Sequence, residues 1–161
     1  MHKINDCLVY GKDVCHVKNI NTINNQEYYS LEPINDSSLK ITIPINSNRI
    51  RNLISKDELS NIINNMSRID IINIEEKFIE SEYKRLLTNG TSIDLIRIIK
   101  TIYLRNKERA KNKKRIMDKD KEYIDKAKEI LYNELRIVLD LSFEDTKEYI
   151  INIFEELLKE S

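Results

Sequence analysis

Between Arg105 and Arg115 stand seven basic side chains (Arg105, Lys107, Arg109, Lys111, Lys113, Lys114 and Arg115) against Glu108 alone. Lysine and arginine at this density suit contact with a polyanion, because phosphate binding asks for charge and reach rather than base readout. A solvated helix end, with cations near the negative end of the helix dipole, accounts for the same run. The net charge of the chain is zero. The basic run is balanced by acids between 140 and 160: Asp140, Glu144, Asp145, Glu148, Glu155, Glu156 and Glu160. An argument for nucleic acid is therefore local, not global.

Other chemistry has little to stand on. Cys7, Cys15, His2 and His16 match no common zinc spacing, so no metal is expected and the cysteines read as small buried hydrophobes. The two glycines lie far apart and cannot build a phosphate-cradling loop. Neither histidine has a nucleophile beside it in sequence. No catalytic residue, cofactor or enzyme activity is expected.

The positioning elements follow from periodicity. Cys7–Tyr10, Val14–Ile20, Tyr28–Ile34 and Leu39–Ile43 read as short strands, with Asn21–Gln26 as a polar turn between the second and third. Leu39-Lys40-Ile41-Thr42-Ile43 alternates, so one face is buried, and Pro44 places the segment at a sheet edge or strand end. Asn46–Asn52 is the best domain boundary. Helices follow. Ser55 and Glu58 suggest a capping box for a first helix ending near Met66. Residues 67–73 connect to a second, capped at Asn73, with Ile74, Phe78, Ile79, Leu86 and Leu87 inward and Gly90 as its stop. A third starts at Thr91-Ser92, buries Leu95, Ile98, Ile99 and Ile102, and carries its basic tail to Arg115. Asp118 caps a fourth, with Ile124, Ala127, Leu131, Leu135 and Val138 inward. Ser142 and Asp145 open a fifth, burying Ile150, Ile153, Phe154 and Leu157. The fold class expected is α+β: a small bent β-sheet or barrel, then an all-α helical bundle.

Three segments carry a resemblance. They are Tyr83-Lys84-x-Leu86-Leu87-x-x-Gly90, then Arg105-Asn106-Lys107-Glu108-Arg109, then Asp125-Lys126-Ala127-Lys128-Glu129-Ile130-Leu131-x-x-Glu134-Leu135. In this order they resemble the C-terminal half of the CarD/CdnL family of bacterial transcription regulators. Asp6, Val9 and Tyr10 match that family's opening pattern, with Asn5 where it has Gly, and Leu39-x-Ile41-x-Ile43-Pro44 is similar to its "Leu-x-Val-x-Val-Pro" strand.

The resemblance implies a Tudor-like domain over 1–52 that binds the RNA polymerase β subunit, through Ile41, Thr42, Ile43 and Pro44. It implies a helical domain over 53–161 that binds promoter DNA and modulates open-complex stability. The family-matched phosphate contacts would be Arg105, Arg109, Lys121 and Lys126, with Lys111, Lys113 and Lys114 in a segment longer than in many members. These side chains are expected outside the apolar stripes, replaceable without loss of fold. The family's wedging Trp falls on Glu76, so Phe78 is the candidate minor-groove wedge, its alternative being a core position. The alternative function is a protein–protein interaction module without direct DNA contact.

No apolar run reaches the roughly 18 residues of a membrane span, and Met1–Asp6 has no signal-peptide character. A cytoplasmic monomer is expected.

Overall fold

The computed structural model describes residues 1–159, with the side chains of 157–159 outside that description. The chain is α+β and divides into two compact units, Met1–Leu53 and Ile54–Ser161.

The first unit is an open, antiparallel five-stranded sheet: β1 (Cys7–Tyr10), β2 (Asp13–Ile23), β3 (Gln26–Pro33), β4 (Ile41–Pro44) and β5 (Ile50–Arg51), in the order β4-β3-β2-β1-β5. β2 runs three residues past the expected end, and the turn shrinks to Asn24-Asn25, with Ile23 paired to Gln26. Both asparagines have positive φ (51° and 65°), which suits the mirror-image turns that match strand twist. The Asn-rich stretch is thus a turn of two residues, with Asn21 in the ladder opposite Tyr28. Gly11 supplies φ 59° for the tight β1–β2 turn. β5 falls inside the segment expected as a linker and pairs with β1 through Val9–Arg51 and Tyr10–Ile50. Two residues give no alternation to read. Leu8, Cys15, Val17, Tyr29, Leu31 and Ile43 form the sheet's core. Cys7 is only half-buried, its Sγ 3.4 Å from His16 Nδ1.

The second unit holds α1 (Lys56–Asn64), a 3-10 turn (Met66–Arg68), α2 (Glu76–Asn89), α3 (Ser92–Lys111), α4 (Asp118–Leu139) and α5 (Phe143–Lys159). Caps at three starts work as the sequence suggests: Ser55 Oγ accepts from Glu58 N–H at 3.0 Å, Thr91 Oγ1 from Asp94 N–H at 3.2 Å, and Ser142 Oγ from Asp145 N–H at 3.0 Å. Gly90 ends α2 in the left-handed region at φ 65°.

Other boundaries shift. α2 is preceded by Glu75, not Asn73, so Ile74 lies outside the helix and is 45% exposed. Phe78, in its first turn, is 53% exposed, and the inward stripe is Ile79, Tyr83 and Leu86. Spacing missed Tyr83 because its hydroxyl needs a buried partner, which distant sequence provides. α4 takes Met117 as its N-cap residue, with Asp118 already helical. On α5, Ile150 and Phe154 are buried and Ile153 is partly so, while the side chain of Leu157 and the whole of Glu160 lie outside the described residues.

The apolar stripe of α3 also hides a charge. Lys100 is buried, and its Nζ donates to the carbonyls of Met66, Ser67 and Ile69 at 3.0, 3.2 and 2.8 Å. The ammonium thus gathers the carbonyls of the short turn, of which Met66 O also accepts from Ile69 N–H at 3.2 Å. Elsewhere in the bundle, the Tyr132 hydroxyl is buried with no hydrogen-bond partner among the described residues, and burial pushes its pKa up to about 12.

Removing that hydroxyl should help. Tyr132→Phe is expected to be neutral or stabilising by about 1 kcal/mol at neutral pH. Because the folded pKa lies above the unfolded one, Tyr132 contributes stability that is complete below pH ~10 and lost as pH rises toward 12. Urea unfolding at pH 7 and pH 11 checks both: Tyr132→Phe should lose less stability across that interval than the unsubstituted protein.

Candidate nucleic-acid interface

The basic run divides into two chemically different groups. The first sits on carboxylates. Arg105, on α3, donates from Nε to Asp120 Oδ2 at 2.8 Å and grips Glu76 with both terminal nitrogens, each at 2.8 Å. Asp120 is 1% exposed, and its other oxygen accepts from Tyr83 at 2.9 Å. Tyr83, Asp120, Arg105 and Glu76 thus tie α2, α3 and α4 together. The electrostatics agree: the Glu76 hydrogen bonds first, then Asp120, push Arg105 above its ordinary pKa. Arg105 in turn holds the Glu76 carboxyl below its usual range. Burial, with Asp120 beside it, pushes the Tyr83 phenol up.

Lys121 and Lys126 belong to the same group. Lys121 pairs with Asp125 and Lys126 with Glu122, each at 3.0 Å and one helical turn apart. Lys126 also lies over the Tyr123 ring, 5.3 Å from its centroid. These pairs are exposed and worth a few tenths of a kcal/mol each, so both amines can exchange partners. Arg105 cannot do so cheaply. The expectation that all four family-matched residues can be replaced with the fold intact is therefore corrected at Arg105, whose carboxylate Asp120 is buried.

The second group is free. α3 does not run to Arg115; it stops at Lys111, and the chain reverses at Lys113, φ 55°. Lys114 N–H bonds back to Arg109 O at 2.8 Å and Lys113 N–H to Ala110 O at 3.2 Å, the paired bonds of a Schellman end. Glycine normally fills that left-handed position, and no glycine signals the stop here. Among the described residues, no carboxylate pairs with Lys107, Lys111, Lys113, Lys114 or Arg115, all of them exposed. Glu108, the one acid among them, instead accepts from Asn112. Lys107 and Arg115 belong with the candidate contacts, and no local signal marks the free set, since Lys114 has Asp118 at i+4 while the paired Arg105 has no acid at i±4. Arg109 is intermediate: half-buried, with Nη2 2.8 Å from Met117 Sδ, which also takes a contact from Arg105 at 3.4 Å.

Two further features lie elsewhere. Phe78 is solvent-facing, with the Lys77 ammonium 5.0 Å from its ring centroid, and Ile71 and Ile74 are exposed near it in sequence. Residues 70–74, with Glu82 and Arg97, line an open groove.

In the sheet unit, β4 is an edge strand. Ile45 N–H bonds Glu27 O at 3.2 Å, and Ile43 and Ile41 stand opposite Tyr29 and Leu31. Ladder bonds alternate. Ile41 and Ile43 therefore turn their backbone groups toward β3, leaving Thr42 and Pro44 facing outward. Pro44 has no N–H, so Thr42 supplies the one outward donor within β4. The Thr42 side chain is exposed, that of Ile43 buried, and those of Ile41 and Pro44 partly buried.

Among the described residues, no helix is long and apolar enough to cross a membrane. No protein-family model matches the chain, and no curated protein sequence matches it.

Proposed function

We propose that this protein is a CarD/CdnL-like transcription regulator, docking on the RNA polymerase β subunit through its sheet unit and holding promoter DNA with its helical unit. The observation that carries the DNA half is the set of exposed cations Lys107, Lys111, Lys113, Lys114 and Arg115, which have no carboxylate partner among the described residues. Counter-charge on phosphate would release condensed ions and favour binding. The order of elements, an antiparallel sheet then helices, agrees with the family resemblance. Open-complex stability is then set by how firmly the helical unit grips DNA while the sheet unit tethers it at high effective concentration.

The polymerase half rests on the β4 edge. A strand of the partner adding to this edge would use Thr42 N–H and the outward carbonyls. Thr42→Pro deletes that donor without removing a bond to β3, since edge positions facing solvent tolerate proline. The Thr42→Pro variant of the whole 161-residue chain is expected to fold normally and to recover at least tenfold less polymerase in pull-down, a loss of the order of one backbone hydrogen bond plus its register. Undiminished recovery by Thr42→Pro would refute docking through this edge. The alternative, an interaction module without DNA contact, draws on exposed Ile71, Ile74 and Phe78 beside the groove. It takes over if Phe78→Ala abolishes partner capture while neutralising the basic turn has no effect.

A further inference from the structure

The chain has no net charge, yet its unpaired charges are sorted into two places. The cations are Lys107, Lys111, Lys113, Lys114 and Arg115, at the end of α3 and in the turn before α4. The anions are on α5. Glu144, Asp145, Glu148, Glu155 and Glu156 are exposed, and among the described residues no lysine or arginine pairs with any of them. At 3.6 residues per turn, these five acids fall within about 120° of the helix circumference, opposite the buried Ile150 and Phe154. Lys147, the one base on α5 with a described side chain, falls outside that arc.

The two clusters cannot neutralise each other within one molecule. Ile150, Ile153 and Phe154 line a small cavity with Leu131 and Leu135 of α4, and the Phe143 ring packs on Tyr132, 6.2 Å between centroids. α5 therefore lies over residues 131–135 of α4. The basic turn adjoins the opposite end of α4, which starts at Asp118. From Asp118 to Leu131 the helix rises roughly 20 Å. Charges that far apart in water are screened at ordinary ionic strength, where the Debye length is about 8 Å.

We propose that the acidic face of α5 in a second copy of this chain docks on the basic α3–α4 turn. The two surfaces match in sign, and both belong to the same molecule, so a second copy supplies what each one lacks. Exposed ion pairs are individually weak, and a patch built on one helix face is at the small end of protein interfaces. The association is therefore weak, and it fades as salt rises. The monomer expected from the sequence is then the high-salt form. This pairing does not rest on the DNA reading, but it uses the same cations, so a docked α5 masks the turn from phosphate.

Sedimentation equilibrium of the whole 161-residue chain tests the pairing. At about 20 mM salt the weight-average mass should exceed that of one chain and rise with concentration, and at about 500 mM the association constant should be lower by a factor on the order of ten or more. Lys111→Glu, Lys113→Glu, Lys114→Glu and Arg115→Glu together should leave the protein monomeric at both salt concentrations. Glu148→Lys, Glu155→Lys and Glu156→Lys together should do the same. Circular dichroism checks that both variants fold. Mixed in equal amounts, the two variants should associate again, because the reversed turn meets the reversed α5 and the two unaltered surfaces meet each other. A mass of one chain for the unsubstituted protein at low salt overturns the proposal. So does undiminished association of either variant alone, or a mixture of folded variants that stays monomeric. A short DNA duplex added at low salt should release the second copy. Association that persists beside a duplex that does not bind overturns the DNA reading and leaves the pairing standing.

Discussion

Arg105→Gln should destabilise the helical unit by about 3 kcal/mol, in the range for breaking a buried ion pair from one side. The loss comes from what remains: Asp120 keeps its place in the core at 1% exposure, with the Tyr83 hydroxyl as its surviving partner in this network. Arg105 itself is partly exposed, which puts the figure at the low end of that range. Glu76→Gln removes the other arm of the same guanidinium yet should cost well under 1 kcal/mol, because Glu76 is more than half exposed. The two variants together therefore separate burial from charge. Acid behaviour gives an independent reading. The Glu76 carboxyl is held below its ordinary range, first by the Arg105 hydrogen bond, so its contribution is present above the ordinary carboxylate range and is lost as pH falls through the depressed value. Arg105→Gln should flatten that acid-side dependence. Urea unfolding from pH 3 to pH 7 measures both effects, and a loss below about 0.5 kcal/mol for Arg105→Gln would show that the network is dispensable.

The second large effect concerns binding. Changing Lys111, Lys113, Lys114 and Arg115 together to Gln should leave the fold intact, since all four are exposed and make no ion pair among the described residues. It should flatten the dependence of log affinity on log salt by roughly 3 to 4, about 0.9 for each phosphate no longer neutralised. Binding should weaken alike across sequences, since phosphate contacts carry no base information. The readout is open-complex lifetime on a polymerase–promoter assembly at several salt concentrations. Lys121→Gln with Lys126→Gln is the matched comparison: these amines start out paired with Asp125 and Glu122, so their removal should change the slope less. A quadruple variant that stabilises the open complex as well as the unsubstituted protein would remove the DNA role from this turn. Changing Arg105, Arg109, Lys121 and Lys126 instead would mix a folding defect with a binding one, because of Asp120.

The helical half was readable where spacing alone decides. Leu95, Ile98, Ile99 and Ile102 lie at i, i+3, i+4 and i+7, and all are buried. Ser55, Thr91 and Ser142 announce helix starts by a local hydrogen bond that sequence neighbours complete. Long-range partners left no such trace. Nothing near Tyr83 in sequence shows that Asp120, 37 residues away, will accept from its hydroxyl, and nothing near Lys100 shows the carbonyls that receive it. The stop of α3 at Lys111 was hidden because lysine occupies the left-handed position that glycine usually marks. The family resemblance points to Arg105, Arg109, Lys121 and Lys126; three of them have carboxylate partners, and Arg109 lies against Met117 Sδ. The free cations lie just beyond, in a turn whose composition looks like more helix. Phe78 looks apolar and therefore inward. Its exposure follows from where α2 begins, a boundary that Asn73 signals two residues too early.

The backbone N–H of Ile54 is held by Glu134 Oε2 at 2.8 Å, across 80 residues of chain. Ile54 is the first residue of the helical unit, and its side chain is buried too. Mechanically, this makes the junction a bolted joint. A pull arriving along the chain from the sheet unit meets Ile54 before it meets α1, and is carried into the C-terminal part of α4. Loading α4 across its width resists force better than unzipping α1 turn by turn. Tension along the chain between the two units would pass through that joint with the first helix still wound.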